Sequence, residues 1–356
     1  MTIAFFGLGI ATSFFYYFCS NIGALDAVLQ GFGLVSLSPF LIGNSNCEMI
    51  GSWILLQCAG VMYSSFLMYS FFYKKISPRS VVLVVLSASL LIQLCSVLAL
   101  YFVSPISNED GSCHFMNYLL ISTSAFFGSG AVSEVDSFSI FYQKSYLGVL
   151  VIASLCWIGM LGFSTLADFF SPERLSQRLR FPEKRIEKGS ALFLWTLVFV
   201  ASLSTLLMLF ETSPKDSIFG RVSISALGGA GIMGLWNAPA PTNVLAFFLL
   251  ILTSALPIFI NGRIRKDMRH FVRWFFTLII GTIALTVLCH WSDPHQTLFH
   301  QGQMIFRGWL GAGSLETEAL SNESKIMMVF SLILGRLATF AAIMKIRTNS
   351  FFAEHS

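Results

Sequence analysis

Charge is what this sequence has least of. Of its 356 residues only 11% are charged, where a soluble domain carries about 25%. Hydrophobic residues make up 55%, and the mean hydropathy is +0.73. That shortage excludes an ordinary soluble domain and makes lipid, not water, the solvent of most of the chain. Runs of short alternating apolar and polar residues are also missing, which excludes a transmembrane β-barrel. No Pro/Ser-rich linker or composition shift divides residues 1–356, so a single transmembrane domain is expected. There is no Ser-His-Asp pattern, His-Glu-x-x-His or phosphate loop, so nothing points to an enzyme. Asp168 and Arg336 are the only conspicuous intramembrane candidates for one. No cofactor is called for. The seven cysteines are scattered, with Cys19, Cys58, Cys95, Cys156 and Cys289 in or at the ends of apolar runs. Only Cys47 and Cys113 fall clearly in loops; a bridge between them stays open, although their spacing does not argue for it. His290, His295 and His300 read as loop histidines, because nothing beside them resembles a metal site.

What is there is a series of long apolar runs. Eight are long enough for a helix to cross about 30 Å of hydrocarbon: residues 3–19, 49–73, 80–103, 145–170, 190–210, 242–261, 271–290 and 325–346. The first is read as a retained span and not a signal peptide, because no clear cleavage site follows it. Basic residues gather in alternate loops: Lys74, Lys75 and Arg79; Arg174 to Lys188; Arg263 to Arg273; and Lys345 with Arg347. The positive-inside rule makes that side cytoplasmic and places both termini inside the cell membrane. The other side is acidic, with Asp26, Glu48, Glu109, Asp110, Glu211, Asp293 and Glu316 among its residues. Those acids are either ordinary solvated loop charge or a vestibule that concentrates cations. The expected surroundings are a lipid bilayer, with no nucleic acid.

Between the spans lie four apolar runs too short to cross: 24–32, 117–128, 218–229 and 301–311. Runs of about 10–14 residues read as re-entrant segments. Each is followed by a glycine, Gly33, Gly130, Gly231 or Gly313, spaced by 97, 101 and 82 residues. The predicted architecture is all-α: four repeats of span, re-entrant pore helix, Gly-containing turn and span, near 1–75, 76–172, 186–264 and 265–348, around one central pore. Irregular backbone at membrane depth is tolerated only inside protein or along a water-filled cavity, and rings of carbonyls there can replace a cation's hydration shell. The competing reading, glycines that merely let helices pack closely, suits Gly159 and Gly162 better than these four.

These motifs resemble the Trk/Ktr/HKT superfamily of potassium and sodium transporters, in particular its membrane subunits. In the fourth repeat LGAGSLETEALSNESKIMMVFSLILGRLATFAAI is similar to the family's filter, helix start and Gly-Arg-Leu motif. In the second, SAFFGSGAVS resembles the filter segment and IGMLGF the following helix; SISALGGAGIMGL in the third is looser, and the first repeat is the weakest. The resemblance implies cation-binding filter glycines at Gly33, Gly130, Gly231 and Gly313, with the carbonyls of Phe32, Ser129, Ala230 and Ala312 beside them. In the first repeat Gly31 competes with Gly33. Glycine in all four repeats is the potassium-selecting pattern of the family; serine in the first would point to sodium. The resemblance further implies gating at Arg336 and at a break near Asn261 and Gly262, a homodimer, and a cytosolic nucleotide-binding regulatory subunit. PIFINGRIR stands where the family has a Gly/Ser-rich gate loop, and Phe127 and Gly128 where it has paired asparagines. The expected function is transport of potassium or sodium, with a non-conducting assembly subunit as the alternative. Arg336 lies about 18 Å into the last span at 1.5 Å per residue. A charge there costs at least ~2.5 kcal/mol, so it should face the interior and have partners; the alternative is that it snorkels to the interface.

Overall fold

The computed structural model describes residues 2–20, 22–37, 46–72, 78–103, 114–129, 145–170, 188–211, 217–232, 269–310 and 320–353. Eleven α-helices and no strand occur among them. Seven are long: α1 (Thr2–Cys19), α3 (Asn46–Phe72), α4 (Pro78–Val103), α6 (Tyr146–Phe170), α7 (Lys188–Glu211), α9 (Arg269–Ser292) and α11 (Asn322–Ala353). Four are short: α2 (Ala24–Val35), α5 (His114–Phe127), α8 (Ile218–Ile232) and α10 (Leu298–Leu310). Seven of the eight expected spans therefore coincide with long helices; the run 242–261 lies outside the described residues. Five helices, α1, α3, α4, α9 and α11, are long and apolar enough to cross a membrane. The protein is a multi-pass helical membrane protein.

The outward faces carry bare apolar side chains, as a chain dissolved in lipid must. Phe18 on α1, Leu83 and Phe102 on α4, Trp195 on α7 and Ile280 on α9 are all exposed. Burial sorts the spans into two kinds. In the apolar stretches of α1, α4 and α9 only 28%, 28% and 22% of the residues are buried, against 44% and 50% in those of α3 and α11. The former lie toward the outside of the bundle and the latter toward its centre.

Several hydroxyls inside the spans find partners in the helix itself. Thr12 donates to the Leu8 carbonyl, Ser96 to that of Ile92 and Thr286 to that of Thr282, each one turn back. Larger polar side chains pair between helices. The Gln93 amide donates to Gln57 Oε1 at 2.9 Å, Gln57 Nε2 donates to Ser89 Oγ at 2.9 Å, and Ser122 Oγ donates to the Gln93 carbonyl. This buried network joins α3, α4 and α5, because hydrocarbon offers such groups nothing else.

Three helices start on a serine whose hydroxyl accepts an amide of the first turn: Gly148 N–H to Ser145, Gly220 N–H to Ser217 and Ser324 N–H to Ser321. The Ser321 hydroxyl also donates to Asp293 Oδ2 at 2.9 Å, fixing the start of α11 to the end of α9. Packing follows sequence order. α1, α2 and α3 touch one another, as do α4, α5 and α6, α7 and α8, and α9, α10 and α11. Between these groups α3 meets α4, α5 and α6, α6 meets α7 and α8, and α11 meets α2 and α3.

Candidate functional site

The short helices all end in the interior, and two of them end in the same way. The penultimate residue of α5 is Phe126, whose carbonyl oxygen lies where a Cβ on Gly159 would stand. The penultimate residue of α10 is Trp309, whose carbonyl oxygen lies likewise against Gly335. Gly159 and Gly335 are each the fourteenth residue of their span, α6 and α11. In α3 the fourteenth residue is Ala59, fully buried in one cluster with Leu34, the penultimate residue of α2. Helices α5 and α10 thus each stop about halfway along the span that follows. Glycine at 159 and 335 is required by this approach of main chain to main chain, since any side chain would strike an oxygen that cannot swing away.

The chain leaves α5 through a left-handed residue. Gly128 has φ 68°, its amide donates to the Ala125 carbonyl, and the Ser129 amide donates to the Ser124 carbonyl at 2.9 Å. That pair of bonds is the Schellman closure of a helix C-terminus. α2 ends similarly with a bulkier residue. Leu37 has φ 60°, its amide donates to the Leu34 carbonyl at 3.0 Å, and the Ser36 amide donates to that of Phe32. Among the described residues Leu37 alone is non-glycine with a positive φ, a conformation that costs an L-residue about 1–2 kcal/mol.

The sequence-derived filter residues fall differently about these ends. Phe32 and Gly33 lie inside α2, both buried, and the helix runs on to Val35 because Leu34 and Val35 extend its buried face. The turn therefore comes at Ser36–Leu37, later than the sequence suggested. The Phe32 ring packs on Phe5 and Phe6 of α1, and Gly31 is pressed against the Ser13 main chain. Ser129 is fully buried just past the α5 turn. Ala230 is buried in α8, and Gly231 belongs to its last turn. Gly130, Ala312, Gly313, Asn261 and Gly262 lie outside the described residues. Counted from the helix ends, Gly130 and Gly313 are each the third residue after α5 and α10, and the third after α2 is Ser38.

Arg336 is the charged residue brought into this region. It is 3% exposed, which excludes snorkelling to an interface. Its Nε donates to the Ser36 carbonyl at 3.0 Å, a second guanidinium nitrogen donates to the same oxygen, and the guanidinium carbon sits 4.5 Å from the centre of the Tyr63 ring. Ser36 is the C-cap of α2, where a helix exposes carbonyls without partners and roughly half a negative charge. The arginine from α11 satisfies that end, and Tyr63 from α3 covers the cation's face. At the other end of α2, Asp26 pairs with Lys325 at 2.6 Å. From Asp26 to Ser36 is about 15 Å of helix, and from Lys325 to Arg336 about 16 Å, at 1.5 Å per residue. α2 and the first half of α11 thus run side by side in the same direction, and α2 ends at the depth of Arg336. Sequence reasoning missed Ser36 and Tyr63. Nothing short of the fold joins residues three hundred positions apart.

Among the described residues no three of His, Cys, Asp and Glu gather to hold a metal ion. The chemistry this region offers is main-chain: carbonyls and helix C-termini in a buried setting, with one fixed cation among them. No protein-family model matches the chain, and no curated protein matches it.

Proposed function

We propose that this chain is the membrane subunit of a monovalent-cation transporter. Four span–short helix–span repeats would surround one pore, and backbone carbonyls beyond the short helices would take the place of the ion's water. The observation that carries the reading is the matched ending of two short helices, α5 on Gly159 and α10 on Gly335, each near the middle of a span; Leu34 near the end of α2 belongs to one buried cluster with Ala59 of α3. A helix C-terminus aimed at mid-membrane presents partial negative charge where a cation most needs it, and main chain can leave a helix at that depth only beside protein or water. The neighbour relations among the described groups run from α9–α11 through α1–α3 and α4–α6 to α7 and α8, an order that suits a ring closed by the run 242–261. The outer placing of α1, α4 and α9 and the inner placing of α3 and α11 suit it too.

On this reading Gly130 and Gly313 with Ser129 and Ala312 line the filter, with Ala230 and Gly231 near it. Arg336 is a fixed positive charge below it, which together with Asn261 and Gly262 sets the gate. The acidic ends face outward, both termini face the cytoplasm, and uptake is driven by a membrane potential worth ~2.3 kcal/mol per charge per 100 mV. A homodimer with a cytosolic nucleotide-binding regulator belongs to the same proposal, as does the cell membrane.

Potassium is the ion implied where the filter carries a glycine in every repeat, as the sequence offers with Gly33 in the first. A second reading, sodium, is favoured by the register at the first turn: Ser38, and not Gly33, stands the same distance past its helix as Gly130 and Gly313. Tracer uptake of rubidium and sodium into proteoliposomes, with Gly313→Asp alongside, tests conduction and the choice of ion. Rubidium flux abolished by the substitution is the expected result. Sodium flux alone moves the assignment to sodium, and a folded protein that passes neither ion refutes conduction in favour of an assembly role.

A further inference from the structure

Two thiols meet at one end of the first helical group. Cys19 is the last residue of α1 and Cys47 the second residue of α3. Their sulfurs are 3.7 Å apart, and both side chains are exposed. The pair brackets Ala24–Val35 and the turn at Leu37, and lies at the same end of this group as the first turn of α2, which carries Asp26. The sequence had left Cys47 with Cys113 as its only loop candidate; the fold gives it a nearer one by returning the chain to the end of α1. We propose that Cys19 and Cys47 are a disulfide-forming pair whose oxidation ties α1 to α3 around α2.

Geometry makes the bond accessible. The sulfurs need to approach from 3.7 Å to about 2.05 Å, which rotation about two side chains at helix ends can supply. The remaining described thiols are not so placed: Cys156 and Cys289 are buried, while Cys58 and Cys95 lie within the long helices α3 and α4.

The oxidant is a low-molecular-weight disulfide. The thiolate of one cysteine attacks a sulfur of that disulfide, giving a mixed disulfide and one released thiol. The second cysteine then attacks the protein-bound sulfur and displaces the second small thiol. The protons of the two cysteines leave on the two released thiols, so one small disulfide is reduced as one protein disulfide forms. That this happens on the oxidising, outer side rests on the orientation proposed above. The closed bond holds the outer ends of α1 and α3 together, so the segment leading into and out of the first turn becomes a covalent loop.

The test uses the full chain in right-side-out vesicles, treated with oxidised glutathione both sealed and after permeabilisation, then denatured, alkylated with N-ethylmaleimide and digested without reduction. The expected result is a linked peptide pair containing Cys19 and Cys47, a fall from seven to five alkylated thiols, and loss of the pair in Cys19→Ser. Seven alkylated thiols in the permeabilised vesicles, or a link from Cys47 to Cys113, overturn the proposal. The mapping needs only the wild-type chain, so a poorly folding variant does not blunt it. Before oxidation a membrane-impermeant maleimide added outside should label both residues. If it labels them only from within, the orientation is wrong, while a mapped Cys19–Cys47 link still supports the bond.

Discussion

Adding one methyl group at Gly335 is the sharpest test of the geometry. A Cβ there falls on the Trp309 carbonyl oxygen, and at Gly159 it falls on that of Phe126. Overpacking a well-filled interior costs about 1–3 kcal/mol. Both obstacles are main chain and not the flexible end of a side chain, so the upper end applies. Against this, Gly→Ala inside a helix returns about 0.5–1 kcal/mol. The net for Gly335→Ala and for Gly159→Ala is a loss of about 2 kcal/mol. Gly7 supplies the control. It lies in α1 with nothing within 4 Å of an added Cβ, so Gly7→Ala should gain up to about 1 kcal/mol. Thermal unfolding of the three purified variants in one detergent, beside the wild type, reads the difference as an ordering of midpoints. Gly7→Ala should melt at or above the wild type and the other two clearly below it. If Gly335→Ala melts with Gly7→Ala, α10 does not end against the middle of α11. Gly335→Ala and Gly159→Ala in proteoliposomes should lose cation flux while Gly7→Ala keeps it, because the carbonyls displaced, those of Trp309 and Phe126, are three residues from Ala312 and Ser129.

Two further results are expected. Arg336→Met removes a unit charge; at roughly 10 Å and an effective dielectric of about 20 that charge raises a cation's energy by about 1.7 kcal/mol. Tracer flux should therefore rise more than tenfold, and a folded Arg336→Met protein with unchanged or lower flux would count against a pathway passing near this residue. At position 37 the usual order of substitutions should invert. Leu37→Ala and Leu37→Gly both forfeit a buried side chain, but only glycine relieves the positive φ of 60°, so glycine should be the more stable by about 1 kcal/mol; denaturant unfolding that ranks alanine higher would mean the turn is not left-handed.

Much of the fold was legible because lipid imposes simple rules. The long helices begin and end within a few residues of the apolar runs, except where α11 continues past its run to Ala353. The four short helices occupy the four runs judged too brief to cross. The placement of Arg336 was also legible, since a charge eighteen ångströms deep needs a partner whatever the fold. The partner itself was not, because Ser36 offers a carbonyl and a carbonyl leaves no mark on a sequence. The first turn was misjudged for a related reason. Gly33 advertises a turn, yet it is consumed inside α2, while Leu37, a residue that ordinarily avoids the left-handed region, makes the turn. Cys19 closes an apolar run, and nothing in the sequence marks its nearness to Cys47.

The two contacts that α2 makes with α11 have a mechanical consequence. Asp26 with Lys325 and Ser36 with Arg336 are rungs set one residue out of step along two parallel rods. Sliding α2 lengthwise past α11 by a single residue, about 1.5 Å, strains both rungs together, whereas tilting the two as a pair strains neither. Shear along this seam is therefore the stiff direction and hinging the soft one. Whatever movement opens or closes the interior, the first short helix travels with the last span, and the beginning and end of the chain shift as one piece.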